Sequence, residues 1–236
     1  MIIDIDNSKS VTHAVKVITK DWIDIDSAYL KIQSDNTVGL GNFWNITDEM
    51  ICIISEKISC PSERFQNIFS KRLVGLKYQI MGYHCTRHNN KISFIENGIL
   101  PLSKGTIKFS EKQDSEHAEN ILKYRFNKGT GPYFFLSYNS AKDPINHYCN
   151  FGAEILLGCN GKQLNSEISE AKPMIIHCSI PFSILPDHKY YIFCLLRAYF
   201  NFIDPIEETE NLFSDYAIDL KNKTLSPKHI NRIEEL

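Results

Sequence analysis

The segment PMIIHCSI, residues 173–180, contains a nearly unbroken apolar run, as does AEILLG at 153–158. A strand with one wet face alternates apolar and polar residues, so short continuous runs of this kind fit strands covered on both faces. Central strands need neighbouring strands in the sheet and helices over it, and the rest of the chain offers both. LKYQIMGYHCT (76–86), YFFLSY (133–138) and DYAIDL (215–220) read as further strands. A helix is expected after Thr47, whose hydroxyl can cap it, with Asp48 and Glu49 in the first turn and a stripe of Met50, Ile51, Ile54 and Ile58. Pro61-Ser62 opens another, with Phe65, Ile68, Phe69 and Leu73 at helical spacing. NNKISFIENG predicts a short helix with Ile92 and Ile95 turned inward and Gly98 closing it in a left-handed cap. SEHAENILKYRF is helical on its Ala118, Ile121, Leu122 and Phe126 pattern, and HKYYIFCLLRAYFNFI (188–203) is a long aromatic helix. LSPKHINRI places Pro227 at the opening of a final short helix. The alternation predicts an α+β, mixed α/β protein built on a sheet of about five or six strands.

The chain has 236 residues, 43% hydrophobic and 23% charged, the composition of a globular protein able to bury a core. No apolar run reaches the roughly 20 residues of a membrane span, and the start MIIDIDNSKS lacks the basic-then-apolar pattern of an export signal. Seven cysteines are scattered without a two-residue gap between any pair, which argues against a zinc knuckle or a redox motif and for a reducing, cytoplasmic compartment. Neither repeats nor a low-complexity linker interrupt the sequence. One compact unit is therefore expected, with a mainly helical segment at 1–75 packed on a core at 76–236. Net charge is −2, but six Lys/Arg and no acid fall between Arg64 and Ile95, and six acids and no Lys/Arg between Asp204 and Asp219. The first segment favours a phosphate-bearing ligand or acceptor; two solvated faces of opposite sign would read the same way.

The basic segment contains Tyr83-His84-Cys85-Thr86-Arg87-His88. His84, Cys85 and His88 have metal-ligand chemistry, but zinc sites show paired short spacings and this is a single partial cluster, so no metal is expected. Cys85 as a nucleophile would need a base, and His147 and His177 are the candidates the fold could bring near. Nothing local specifies either arrangement.

A third reading uses the order of several motifs. The His-x-Thr-Arg strand end is followed by a helix closing at Gly98-Ile99-Leu100, then by Gly129-Thr130-Gly131-Pro132-Tyr133-Phe134-Phe135, Ser140-Ala141, and Tyr148-Cys149. In this order the chain resembles the ADP-ribosyltransferase superfamily, in its diphtheria-toxin and poly(ADP-ribose) polymerase-like branch, over about residues 83 to 158. The resemblance implies a split mixed β-sheet with flanking helices, and NAD as co-substrate without a metal. It implies that His84 bonds the adenosine ribose, the backbone at Cys85 holds the nicotinamide amide and Thr86 supports that loop. Tyr133 and Tyr148 would sandwich the nicotinamide, Ser140 would reach its carboxamide, and Arg87 would face the diphosphate. The family's acid stands on a late strand; here Asp215 occupies that place, one methylene shorter than Glu, with Glu210 and Glu154 as substitutes. Cys85 also departs from the glycine common at its position.

The function implied is a cytoplasmic mono-ADP-ribosyltransferase that modifies RNA, DNA or protein, of the kind found among bacterial toxin–antitoxin and antiphage effectors, with an antitoxin or other neutralising protein as a partner and no membrane. Three alternatives stand beside it: an NAD glycohydrolase, a tRNA 2′-phosphotransferase-like enzyme, and a catalytically inactive module whose 188–203 helix docks a partner.

Overall fold

A computed structural model describes residues 1–34, 47–101, 131–143, 171–205 and 216–236, and in these it holds seven α-helices and six strands of an α+β architecture. The chain forms two units: residues 1–80 with 181–209, and residues 81–180 with 210–236. The observed division differs from the expected 1–75 and 76–236 segments because 181–209 belongs with the N-terminal unit.

The first unit holds strand β1 (Ile2–Ile3) and helices α1 (Ser8–Thr19), α2 (Ile25–Ser34), α3 (Thr47–Lys57), α4 (Ser62–Gly75) and α7 (His188–Ile203). β1 runs parallel to residues 79–80. Asn7 caps α1 by accepting the Ser10 amide at 3.1 Å, and Val11, Ala14, Val15 and Ile18 form its buried stripe. Asp187 caps α7 in the same way through the amide of Tyr190. α7 is apolar almost all round, and such a helix belongs inside a core. From Tyr191 to Leu196 and from Ala198 to Asn201 every residue is buried, with Phe200 stacked on Tyr29 at 4.5 Å. In the alternative where this helix docks a partner, most of its surface is already covered: it is the core of its unit. Phe65, Phe69 and Leu73 are the buried side of α4. Ser70 on α4 ties to α7 through His188 Nδ1 at 2.5 Å, while His188 Nε2 donates to the Phe182 carbonyl at 2.6 Å.

In the second unit the strand order is β5 (Tyr216–Asp219), β3 (Tyr133–Phe135), β2 (Gln79–His88), β4 (Lys172–Pro181), β6 (Ile230–Glu235). β2/β3, β3/β5 and β4/β6 pair antiparallel. The interior place of β4, between β2 and β6, agrees with its continuous apolar run. Gly82 sits in close packing: a Cβ there would meet Ile180 Cδ1 at 2.7 Å and Phe134 Cβ at 3.1 Å, so a larger residue would make these side chains shift.

Four local expectations need correction. YFFLSY is a strand only to Phe135; the chain then bends and Ser137 caps the short helix α6 (Tyr138–Lys142) by accepting the Ser140 amide at 3.4 Å. Helix α5 (Ile92–Asn97) forms where expected, yet Ile92 and Ile95 are 55% and 59% exposed. Its inward residue is Phe94, edge-on to His88 at 5.0 Å, and two isoleucines in six residues are too few to set a helix phase. Gly98 does close α5 at φ 76°, but with ψ −160°, an extended mirror-image conformation instead of the left-handed helical one. That conformation leads Ile99 into a bridge with Leu225, whose carbonyl would lie 2.0 Å from any Cβ at Gly98. Finally, Pro227 opens a single 3-10 turn (Pro227–His229), and Ile230–Glu235 is a strand, not the continuation of a helix. The expected helix at 115–126 and strand at 153–158 lie outside the described residues.

Candidate functional site

β2 is the spine of the candidate site, and its alternation sends successive side chains to opposite faces. His84 leaves on the face of Gly82, beside Phe134 at 5.5 Å between rings. Tyr83 and Cys85 leave on the other, packing with Phe135, Ala141 and Ile175. Thr86 continues the His84 face and Arg87 the Cys85 face; both are half-buried.

His84 Nδ1 lies 2.8 Å from the carbonyl oxygen of Tyr133, 49 residues away in sequence. A carbonyl only accepts, so Nδ1 carries the hydrogen and Nε2 keeps its lone pair. Burial lowers the His84 pKa below the usual imidazole value, and the bond to Tyr133 opposes this without cancelling it. The residue is a neutral, oriented imidazole able to accept a hydrogen bond through Nε2. Tyr133 is fixed from its other side by β5, pairing with Asp219, while the Pro132 and Gly131 carbonyls accept the amides of Leu220 at 3.1 Å and Asn222 at 2.8 Å.

The Cys85 thiol donates to the Ala141 carbonyl at 3.4 Å, so it serves as a buried tie to α6. Ser140, the residue before Ala141, is 7% exposed. The structure thus gathers His84 with Tyr133, and Cys85 with the Ser140-Ala141 segment. It does not bring the His84 and Tyr133 side chains to one face: Phe134 shares the His84 side, so alternation along β3 sends Tyr133 with Phe135 to the opposite one. Tyr148, Glu154, Glu210 and Asp215 lie outside the described residues, as does His147.

On the Cys85 face stands a cluster that the motifs did not foretell. Glu234 on β6 accepts the Tyr138 hydroxyl at 2.9 and 3.1 Å through its two oxygens, and His177 Nε2 donates to Oε2 at 3.0 Å. Arg232 reaches the same oxygen at 3.2 Å. The Tyr83 and Tyr138 rings each lie 5.3 Å from the His177 ring. Burial raises the Glu234 pKa, but the bonds from His177 and Tyr138 and the charge of Arg232 together outweigh it, holding the carboxyl below its ordinary value. His177 was the one legible signal: an ionisable residue inside a buried apolar strand requires a partner. Glu234 is no substitute for the late-strand acid opposite His84, because it projects from the other face and is already held by three donors.

Elsewhere burial pushes the Cys194 thiol up to about 12 and the Cys178 thiol up as well, which keeps both protonated and inert. Among the described residues no group of three or more His, Cys, Asp or Glu is placed to hold a metal ion, and no helix is long and apolar enough to cross a membrane.

No protein-family model, curated protein or solved structure matches this chain.

Proposed function

We propose that this chain is a mono-ADP-ribosyltransferase that takes ADP-ribose from NAD, its co-substrate, and delivers it to a macromolecular acceptor, RNA, DNA or protein. The observation that carries the reading is the hydrogen bond from His84 to the Tyr133 carbonyl. It joins the two most characteristic segments of the motif series on neighbouring strands of one sheet. Ser140 follows on a helix tied to β2 by Cys85, on the sheet face opposite His84. This arrangement is compatible with the split sheet of the ADP-ribosyltransferase fold.

The reaction breaks the C1′–N bond of the nicotinamide riboside, and the electron pair leaves with nicotinamide. An acceptor oxygen or nitrogen forms the new bond to C1′ and gives up its proton. The ribose passes through an oxocarbenium-like state, which favours a site that orients the dinucleotide and places polar groups around the developing charge. A neutral His84 with Nε2 open as an acceptor suits a ribose hydroxyl. Asp215, Glu210 and Glu154 remain the candidates for the acid that completes the site. A role as a cytoplasmic toxin or antiphage effector, with a neutralising partner, extends this reading by analogy with small transferases of that kind.

One observation favours a second reading, a binding module without transferase chemistry: the His84 and Tyr133 side chains leave the sheet on opposite faces. Incubation with NAD labelled in the adenylate, together with separate RNA, DNA and protein pools, tests both. Label on one pool, lost in a His84→Ala variant, is the expected result. Free ADP-ribose as sole product marks a glycohydrolase, and removal of a tRNA 2′-phosphate marks the phosphotransferase relative. No consumption of NAD by the wild type overturns all three enzyme readings.

A further inference from the structure

Helix α6 spans five residues, too few to hold together by its own hydrogen bonds. Its placement comes from three ties: the Ser137 cap, the Cys85 thiol on the Ala141 carbonyl, and the Tyr138 hydroxyl on Glu234. Ser137 is a neighbour in sequence, and a thiol is a weak donor. The tie to Glu234 has a different character. It crosses 96 residues, its acceptor is a carboxylate held ionised, and bonds to an ionised acceptor are about twice as strong as neutral ones.

The surroundings fix both ends of that bond. On α6, the Tyr138 ring packs against Tyr83 of β2 at 5.5 Å and His177 of β4 at 5.3 Å, with the Lys142 ammonium 5.6 Å from its centroid. On β6, Glu234 is registered opposite Ile175 and Arg232 opposite His177, which keeps the carboxylate and its cation on the α6 side of the sheet. The groups facing Glu234 are thus Tyr138, His177 and Arg232, with Tyr83 and Lys142 behind the tyrosine ring.

We infer that Glu234 is a positioning residue: through Tyr138 it sets the placement of α6, and with it of Ser140, the residue that the motif series assigns to the nicotinamide. The inference rests on the NAD reading for what the site binds, but not for how α6 is held. It gives the last strand of the described fold a controlling role over a segment that the motif series places at the nicotinamide.

Amide hydrogen exchange at Ser140 and Ala141 tests the hold on α6, and titration with NAD tests its consequence. The proteins are the wild type, Tyr138→Phe, which removes one hydroxyl, and Glu234→Gln, which removes the charge. Both variants should exchange about tenfold faster at Ala141 while the amides of β2 and β4 keep their protection, and NAD should bind about tenfold more weakly. In the wild type, protection at Ala141 should fall as pH drops through the titration of Glu234, and Glu234→Gln should lack that step. Unchanged protection at Ala141 in both variants overturns the inference whatever NAD does. So does faster exchange with wild-type NAD affinity. If the wild type itself fails to bind NAD, the transferase reading falls separately, and Ala141 exchange still decides whether Glu234 positions the helix.

Discussion

At the scale of single residues, His84 shows how the fold decides what a side chain can do. The motif order marked it as a ligand contact. The backbone bond to Tyr133 fixes which nitrogen carries the hydrogen, and burial lowers its pKa. In the unfolded chain the imidazole takes up a proton near pH 6.5; in the folded chain it does so only at lower pH. Between the two values the unfolded state holds more protons, so stability rises with pH through that window and is lost as pH falls below about 6.5. Asn at this position keeps a donor of similar reach toward the Tyr133 carbonyl but does not titrate. Urea denaturation of wild type and His84→Asn between pH 5 and 8 should show the wild type losing stability at the acid end and the variant following a flatter curve. Parallel curves would mean that His84 titrates in the fold as it does in water. The tautomer was not legible in the sequence, because it depends on a carbonyl from a strand 49 residues away. The divergence of His84 and Tyr133 was half legible: alternation was certain once both strands were drawn, but the phase of one strand against the other was not.

At the scale of elements, strong periodicity was readable, whereas the helix caps and the edge strand β6 were not. β4 and α7 stand where their apolar patterns put them, since each carries enough buried residues to identify itself. β6 alternates only Ile230 and Ile233 with Asn231, Arg232, Glu234 and Glu235, and a charged, sparsely apolar strand is what a sheet edge calls for. Its opening at Ser226-Pro227 has the sequence signature of a helix start, though only a single 3-10 turn forms there. α1 carries in its sequence a stripe of Val11, Ala14, Val15 and Ile18 and an Asn7 cap. The burial of α7 makes a sharp contrast between two of its residues. Phe200 is fully buried and stacked on Tyr29, whereas Ile203, one turn on, is 48% exposed. Phe200→Ala should cost about 3–5 kcal/mol of unfolding free energy by cavity formation. Ile203→Ala should stay within about 0.5 kcal/mol. Similar losses for the two in denaturant titrations would mean that α7 does not bury the face assigned to it.

At the scale of the whole molecule, the division of the chain was the least legible feature. Helical periodicity says which face of 188–203 is apolar, which here is nearly all of them, but not which helices will cover it. A cut near residue 75 followed the motifs, which begin at Tyr83, and so left α7 with the later segment. The fold instead returns residues 181–209 to the N-terminal unit, where Tyr29 stacks on Phe200, Tyr199 bonds Asp26, and Ser70 meets His188. These contacts make the first 80 residues dependent on a helix that is more than 100 residues away in sequence. Val11, Val15, Phe65 and Phe69 are buried in the intact chain, and removing α7 takes away the most apolar helix of their unit. A fragment of residues 1–80 should therefore lack a cooperative thermal transition by circular dichroism and bind a dye specific for exposed apolar surface. Joining residues 181–209 to it through a flexible Gly/Ser linker should restore a transition, because the missing helix then returns at high effective concentration. Cooperative melting of the 1–80 fragment alone would show that α7 is dispensable to that core, and the original cut after residue 75 would then be the better division.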